Sequence, residues 1–272
     1  RNRSRSRLFL SAMTLREWLL AQPFDLAMSS GFFGFFAHAG FLTALLEESF
    51  APSRVAGSSA GALVAGFHAS GMKPSEMRDH LSELRKSDFW DPFPGPGLVR
   101  GRRLRRVLEE RLPVARIEDA ALPLLISVFD VFAWRTVVLR SGDLARAIHA
   151  SCCVPGLFWP VWIERRVCVD GGLRDHPGIS GFEPGDRVLQ HLLLSDESSS
   201  AFARARRRTE QNPNTAALVL PGLPKVGPNR LDEGMTAFER AREAALQALD
   251  APVSTEEGRG LWVLQRVRDS GR

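Results

Sequence analysis

The pentapeptide Gly57-Ser58-Ser59-Ala60-Gly61 sets a serine between two glycines, after a run that can end a short strand and before a small-residue run that reads as a helix. A serine on such a strand–turn–helix corner presents its hydroxyl outward, and the flanking glycines lack the Cβ atoms that would hold strand and helix apart. The helix begins at once, so its free N–H groups and positive dipole end face any anion that forms beside the serine. The chemistry this suits is nucleophilic acyl transfer. Taken alone, the pentapeptide fits a plain Gly/Ser turn equally well.

A second segment adds to it. Leu26-Ala27-Met28-Ser29-Ser30-Gly31-Phe32-Phe33-Gly34 reads as an apolar strand running into a glycine-containing turn. Residues 35–50 then read as a helix, with Ala39, Leu42, Leu45 and Leu46 at helical spacing. Backbone N–H groups at such a turn can bind an anion. A dinucleotide loop is the competing reading, but Ser29 stands where that fingerprint has its first glycine, and Arg54 rather than a carboxylate follows about twenty residues later.

The third piece lies far downstream. Arg166-Val167-Cys168-Val169 reads as a strand that delivers Asp170-Gly171-Gly172, a carboxylate in a fixed turn, for which an ordinary Asp-Gly turn is the plain alternative. Before it, residues 147–160 read as a helix end followed by a Pro-bounded loop containing Ser151, Cys152, Cys153 and Pro155.

Together these segments resemble the patatin-like phospholipase family, which carries a Gly-rich oxyanion loop, a G-x-S-x-G serine, an A-x-x-A-S-x-x-x-P stretch and an Asp-Gly-Gly or Asp-Gly-Ala motif in that order. All four occur here in that order, over residues 24–195. The resemblance implies Ser59 as nucleophile and Asp170 as its general base. It implies oxyanion N–H groups on Gly31, Phe32 and Phe33, with Ala60 as a contributor, and motif glycines at Gly34, Gly57, Gly61, Gly171 and Gly172. The chain departs from the family loop in having Ser29 and Ser30 for its first two glycines and Phe33 for its basic residue. Backbone donors do not depend on that side chain, although any contact made by the basic group is lost.

In such a dyad Asp170 takes the Ser59 proton directly and later activates the water that releases the acid. The residues also permit a Ser-His-Asp triad using His176 or His191, both of which follow Asp170 in the chain. His149, Cys152 and Cys153 cluster, but no partner pair follows at zinc-site spacing, so neither metal nor cofactor is expected.

The 272 residues are 44% hydrophobic and 25% charged, which suits one large globular domain, and three cysteines argue against a disulfide scaffold. The net charge of +5 favours anionic partners. Arginines at 100, 102, 103, 105, 106 and 111 fall on one expected helix, beside aromatics expected to be exposed, Phe89, Trp90 and Phe93. That set reads either as a solvated face or as a docking site for an anionic membrane or lipid-droplet surface. No nucleic-acid recognition module is visible. No run of 18 apolar residues occurs. Residues 1–16 carry five arginines and no acid, as in a basic tail or an organelle transit segment, so residence is read as cytoplasmic or peripheral membrane, with plastid or mitochondrion as the alternative.

Strands and helices alternate through Ser195, which predicts a three-layer α/β sandwich with a largely parallel central sheet. The expected organisation is a basic extension over 1–23, an acyl hydrolase domain over 24–195, and a C-terminal extension over 196–272. In the last, residues 212–229 are rich in Pro and Gly, and 231–249 form an amphipathic helix that packs on the domain. The functional expectation is a serine acyl hydrolase of lipid esters. The alternatives are a triad esterase on small soluble esters and a catalytically weak lipid-binding scaffold.

Overall fold

A computed structural model describes residues 13–194, 197–253 and 259–267, so the basic segment over 1–12 and the boundary at Ser195 lie outside the described residues. In chain order the elements are β1 (Met13–Thr14), α1 (Leu15–Ala21), β2 (Asp25–Met28), α2 (Phe35–Glu47), β3 (Val55–Ser58), α3 (Ala60–Ala69) and α4 (Pro74–Ser82). Then come β4 (Gly97–Val99), α5 (Arg102–Arg111), β5 (Leu124–Asp130), β6 (Arg135–Leu139), α6 (Leu144–Ser151), β7 (Gly156–Phe158), β8 (Val161–Ile163) and β9 (Arg166–Asp170). The chain continues through β10 (Val188–Leu192), α7 (Ser200–Glu210), β11 (Thr215–Val219), α8 (Glu233–Asp250), β12 (Pro252–Val253) and β13 (Leu261–Leu264).

Nine strands form the central sheet in the order β13-β11-β10-β2-β3-β5-β9-β8, with β6 also on β5. The six strands from β13 to β5 run parallel, while β6 and β9 are antiparallel to β5. Parallel strands are covered on both faces, and here the side-chain alternation shows it. On β11, Ala216 and Leu218 join the main core, whereas Ala217 and Val219 join a second cluster with Phe202 of α7. The architecture is therefore a three-layer α/β sandwich, as the alternation of elements predicts.

The residues after 196 complete this sheet. Thr215–Val219 is a fully buried strand inside a segment whose Pro and Gly content hid it, and β13 adds the edge. The helix expected near 231–249 is α8, which lies against α2. A Cβ at Gly40 of α2 would strike the Phe238 carbonyl, so only glycine allows the two helix backbones this approach. The arginine-rich helix is α5, but its aromatic neighbours differ from expectation. Phe89 is buried against Phe33 at 5.4 Å, and Lys86 covers Trp90 at 4.9 Å. A Phe ring beside an apolar pocket gains more from burial than from solvent, and the local run of Asp, Pro and Gly does not reveal that pocket. Phe93 remains exposed, under the Arg100 guanidinium.

Candidate active site

The meeting of Ser59 and Asp170 follows from strand register. Ser58 of β3 lies opposite Ser127 of β5, and β5 then runs on to Asp130. β6 occupies the opposite edge of β5 from Ile126 to Asp130. Antiparallel β9 must therefore take the edge that β3 vacates, pairing Asp170 with Val128. The carboxyl ends of β3 and β9 thus face each other, and each carries one functional side chain.

Ser59 Oγ donates to Asp170 Oδ2 at 2.7 Å. The other carboxylate oxygen accepts from the Gly172 N–H at 2.7 Å, and the Asp170 N–H donates to the Cys153 carbonyl at 2.9 Å. Both residues are buried. Burial pushes the Asp170 carboxyl above its ordinary value, against the opposing effect of its hydrogen bonds from Ser59 and Gly172.

Ser59 sits at φ 53°, ψ −117°, a conformation that costs a non-glycine residue about 1–3 kcal/mol. Side chains of α6 and its end hold it there. The Ser59 N–H donates to Ser151 Oγ at 2.8 Å, and Ser151 Oγ donates onward to the Ser127 carbonyl at 2.7 Å. Cys152 Sγ donates to the Ser59 carbonyl at 3.3 Å. The sequence shows Ser151 only as part of a motif; its grip on the Ser59 backbone is visible only once α6 is packed on β5. Across the elbow, a Cβ at Gly61 would strike the Met28 carbonyl, so α3 can start this close to β2 only with glycine there. Gly57 packs on Gly61 in the same way, while Gly171 faces the Ser127 carbonyl and Gly172 faces Ser30.

The loop after β2 is anchored at its start. Ser29 donates its N–H to the His191 carbonyl at 3.2 Å, and its Oγ accepts from the Leu193 N–H at 2.9 Å. The Ser29 carbonyl meets His38 Nε2 at 2.8 Å. The Ser30 N–H donates to the His176 carbonyl, and the Gly34 N–H to the Gly31 carbonyl. Among the described residues no acceptor meets the N–H groups of Gly31, Phe32 and Phe33, and Phe33 is held at φ 55°. Gly31, Phe32 and Phe33 line one cavity of about 270 Å³ together with Ser59 and Ala60. Its walls are mostly apolar, with Leu63, Phe67, Leu81 and Phe89 among them. At its far end Arg111 bonds His80 at 2.9 Å and Glu83 at 3.3 Å.

Neither histidine of the alternative triad bonds Ser59 or Asp170 among the described residues. His191 is fully buried, and its Nδ1 meets His38 Nδ1 at 2.8 Å. His176 contributes its backbone carbonyl to the Ser30 anchor. The His38–His191 contact joins residues 153 positions apart and carries no local sequence signal.

Comparison with known proteins identifies the family. An uncharacterized NTE family protein of Mycobacterium tuberculosis is 30% identical over 153 residues, covering 55% of this chain and 42% of that protein. A second M. tuberculosis protein of the same description is 26% identical over 282 residues, covering 87% and 48%. A lysophospholipase of Mycosarcoma maydis is 27% identical over 150 residues, 52% of this chain but 8% of that protein. The chain spans less than half the length of these relatives. Among solved structures, VipD from Legionella pneumophila shares the fold, with a TM-score of 0.63 at 14% identity over 84% of this chain and 67% of its own. The sequence model described as "Patatin-like phospholipase" matches residues 26–182, more than half of the chain, and that span holds the anchored loop, the serine corner, Ser151 and the aspartate turn. The chain belongs to the patatin-like phospholipase family.

Proposed function

We propose that the chain is a serine acyl hydrolase that cleaves fatty-acyl esters of lipids. The observation that carries this reading is the 2.7 Å bond from Ser59 Oγ to a buried carboxylate, at the wall of an apolar cavity that Gly31, Phe32 and Phe33 also line.

The steps follow from these groups. Asp170 takes the proton of Ser59 as Oγ bonds the ester carbonyl carbon. The negative oxygen of the tetrahedral intermediate is held by N–H groups of Gly31, Phe32 and Phe33, with Ala60 at the N-terminus of α3. As the C–O bond to the alcohol breaks, Asp170 returns its proton to the leaving oxygen and the acyl group stays on Ser59. Asp170 then removes a proton from water, the water oxygen attacks the acyl carbon, and the fatty acid leaves as Ser59 recovers its proton. Burial makes Asp170 a stronger base than an exposed aspartate, which the first step requires. The apolar walls suit the acyl chain.

Fluorophosphonate labelling and ester hydrolysis test the assignment. Both should vanish in Ser59→Ala and survive in Ser58→Ala, since the buried Ser58 hydroxyl has no partner among the described residues. Labelling that persists in folded Ser59→Ala overturns the nucleophile. Labelling of wild type without turnover of any lipid ester favours a lipid-binding scaffold.

A further inference from the structure

Large apolar side chains are exposed at the end of the molecule where Ser59 opens: Phe32 at 59%, Phe132 at 79%, Trp134 at 65%, Trp162 at 63% and Leu173 at 54%. Register puts them there. Phe32 lies in the loop after β2, and Leu173 in the turn directly after Asp170. β5 runs beyond the end of β3, and its turn into β6 carries Phe132 and Trp134. The Val131 N–H donates to the Val167 carbonyl, and Trp162 is the partner of Val167, so the β8–β9 hairpin stands at the height of that turn. Single exposed apolar residues are ordinary, but several large ones gathered at one end of the sheet, the end that carries Ser59, form an interaction surface.

Among the described residues, the charges beside them that lack an ion-pair partner share one sign. Arg135 and Arg165 are exposed and have no carboxylate partner among the described residues, and Arg174 lies 5.8 Å from the Trp134 ring centroid. The acid at the hairpin tip, Glu164, is paired with Arg166. Aromatic and aliphatic side chains flanked by unpaired arginines match a lipid headgroup layer, where rings enter the boundary and guanidinium groups meet phosphate.

We infer that Phe32, Phe132, Trp134, Trp162 and Leu173, flanked by Arg135, Arg165 and Arg174, seat the protein on an anionic bilayer surface with the Ser59 cavity opening toward the lipid. This inference rests on the reading of the chain as a lipid hydrolase. It moves docking from the α5 face, whose Phe89 is covered, to the end of the sheet that carries Ser59 and where Phe32 lines its cavity.

Co-sedimentation with phosphatidylcholine vesicles, with and without phosphatidylglycerol, tests it on the full chain. Wild type should bind the anionic vesicles and release with added salt. The double variant Phe132→Ser/Trp162→Ser should bind at least about tenfold more weakly, and Arg135→Gln/Arg165→Gln should lose much of the salt dependence. Both should keep wild-type hydrolysis of a soluble short-chain ester. Unchanged vesicle binding in the aromatic double variant overturns the docking surface while leaving the hydrolase reading intact. A wild type that self-associates, and becomes monomeric in that variant without losing vesicle affinity, assigns the rim to a second copy and overturns the proposal. Vesicle binding that follows the expected pattern, in a protein that hydrolyses no ester, supports the surface and counts against the hydrolase reading alone.

Discussion

Two buried polar pairs flank the loop from Ser29 to Gly34, and they differ in a single respect. Ser59–Asp170 at 2.7 Å and His38–His191 at 2.8 Å are equally close. Ser59 lines the cavity, so a molecule bound there can reach its oxygen. The imidazoles are sealed. His38 Nε2 faces a carbonyl and must carry hydrogen, which leaves its Nδ1 bare; His191 Nδ1 must then donate, which leaves His191 Nε2 bare as well. That last atom has no partner among the described residues. Both rings are thus fixed neutral, and burial lowers His38 to about 3 and His191 well below its ordinary value. In the proposed function one pair exchanges a proton, and the other refuses one while it holds the Ser29 carbonyl. On that reading similar distances carry opposite roles, and access to the cavity decides between them.

The largest effect should come from Asp170→Asn. Activity should fall by about a thousandfold or more, since shape is kept and the proton acceptor is lost. Stability should move the other way. A carboxyl whose folded pKa is raised binds its proton more tightly when folded, so its ionised form weakens the fold as pH rises past the unfolded value. At neutral pH the thermal midpoint of Asp170→Asn should equal or exceed that of wild type. A clear drop would mean that Asp170 is structural like the histidines, and the contrast would fail.

The histidine pair should give the reverse pattern, chiefly in stability. His38→Leu leaves the Ser29 carbonyl and His191 Nδ1 without partners, a loss of about 2–4 kcal/mol by denaturant titration. His38→Gln, which can still donate to Ser29, should recover part of it. Because both rings are lowered, their contribution is complete above the unfolded pKa of about 6.5 and is lost as pH falls toward the folded values, at about 1.4 kcal/mol per pH unit for each ring. In His38→Leu/His191→Leu the slope of stability between pH 6 and pH 4 should be correspondingly shallower, which unfolding midpoints across that range would show.

The smallest effect sharpens the boundary between the two pairs. Ser151→Ala removes the acceptor for the Ser59 N–H and leaves both pairs intact. A loss of about tenfold in kcat with little change in KM is expected, from looser placement of Oγ.

The serine and the aspartate were legible in the sequence because each stands at a strand end beside glycines, and such turns are local. The sandwich was legible because apolar runs and helical periods alternate through the first two thirds of the chain. β11 was hidden because a five-residue strand between Pro and Gly clusters looks like a loop until a neighbouring strand pairs with it. The burial of Phe89 and the His38–His191 contact depend on elements distant in sequence, and no window along the chain contains both partners.

The end-to-end abutment of β3 and β9 on one edge of β5 makes β5 a ruler for the site. Insertions in the turn after β5 or in the β8–β9 hairpin leave the measurement untouched, because neither lies between Ser127 and Val128. A slip of one residue between β5 and β9 would instead carry the carboxylate about 3.3 Å along the strand and turn it to the other face of the sheet. The exposed turn and hairpin can thus be rebuilt for new surfaces while the distance between serine and aspartate stays set by two adjacent residues of β5.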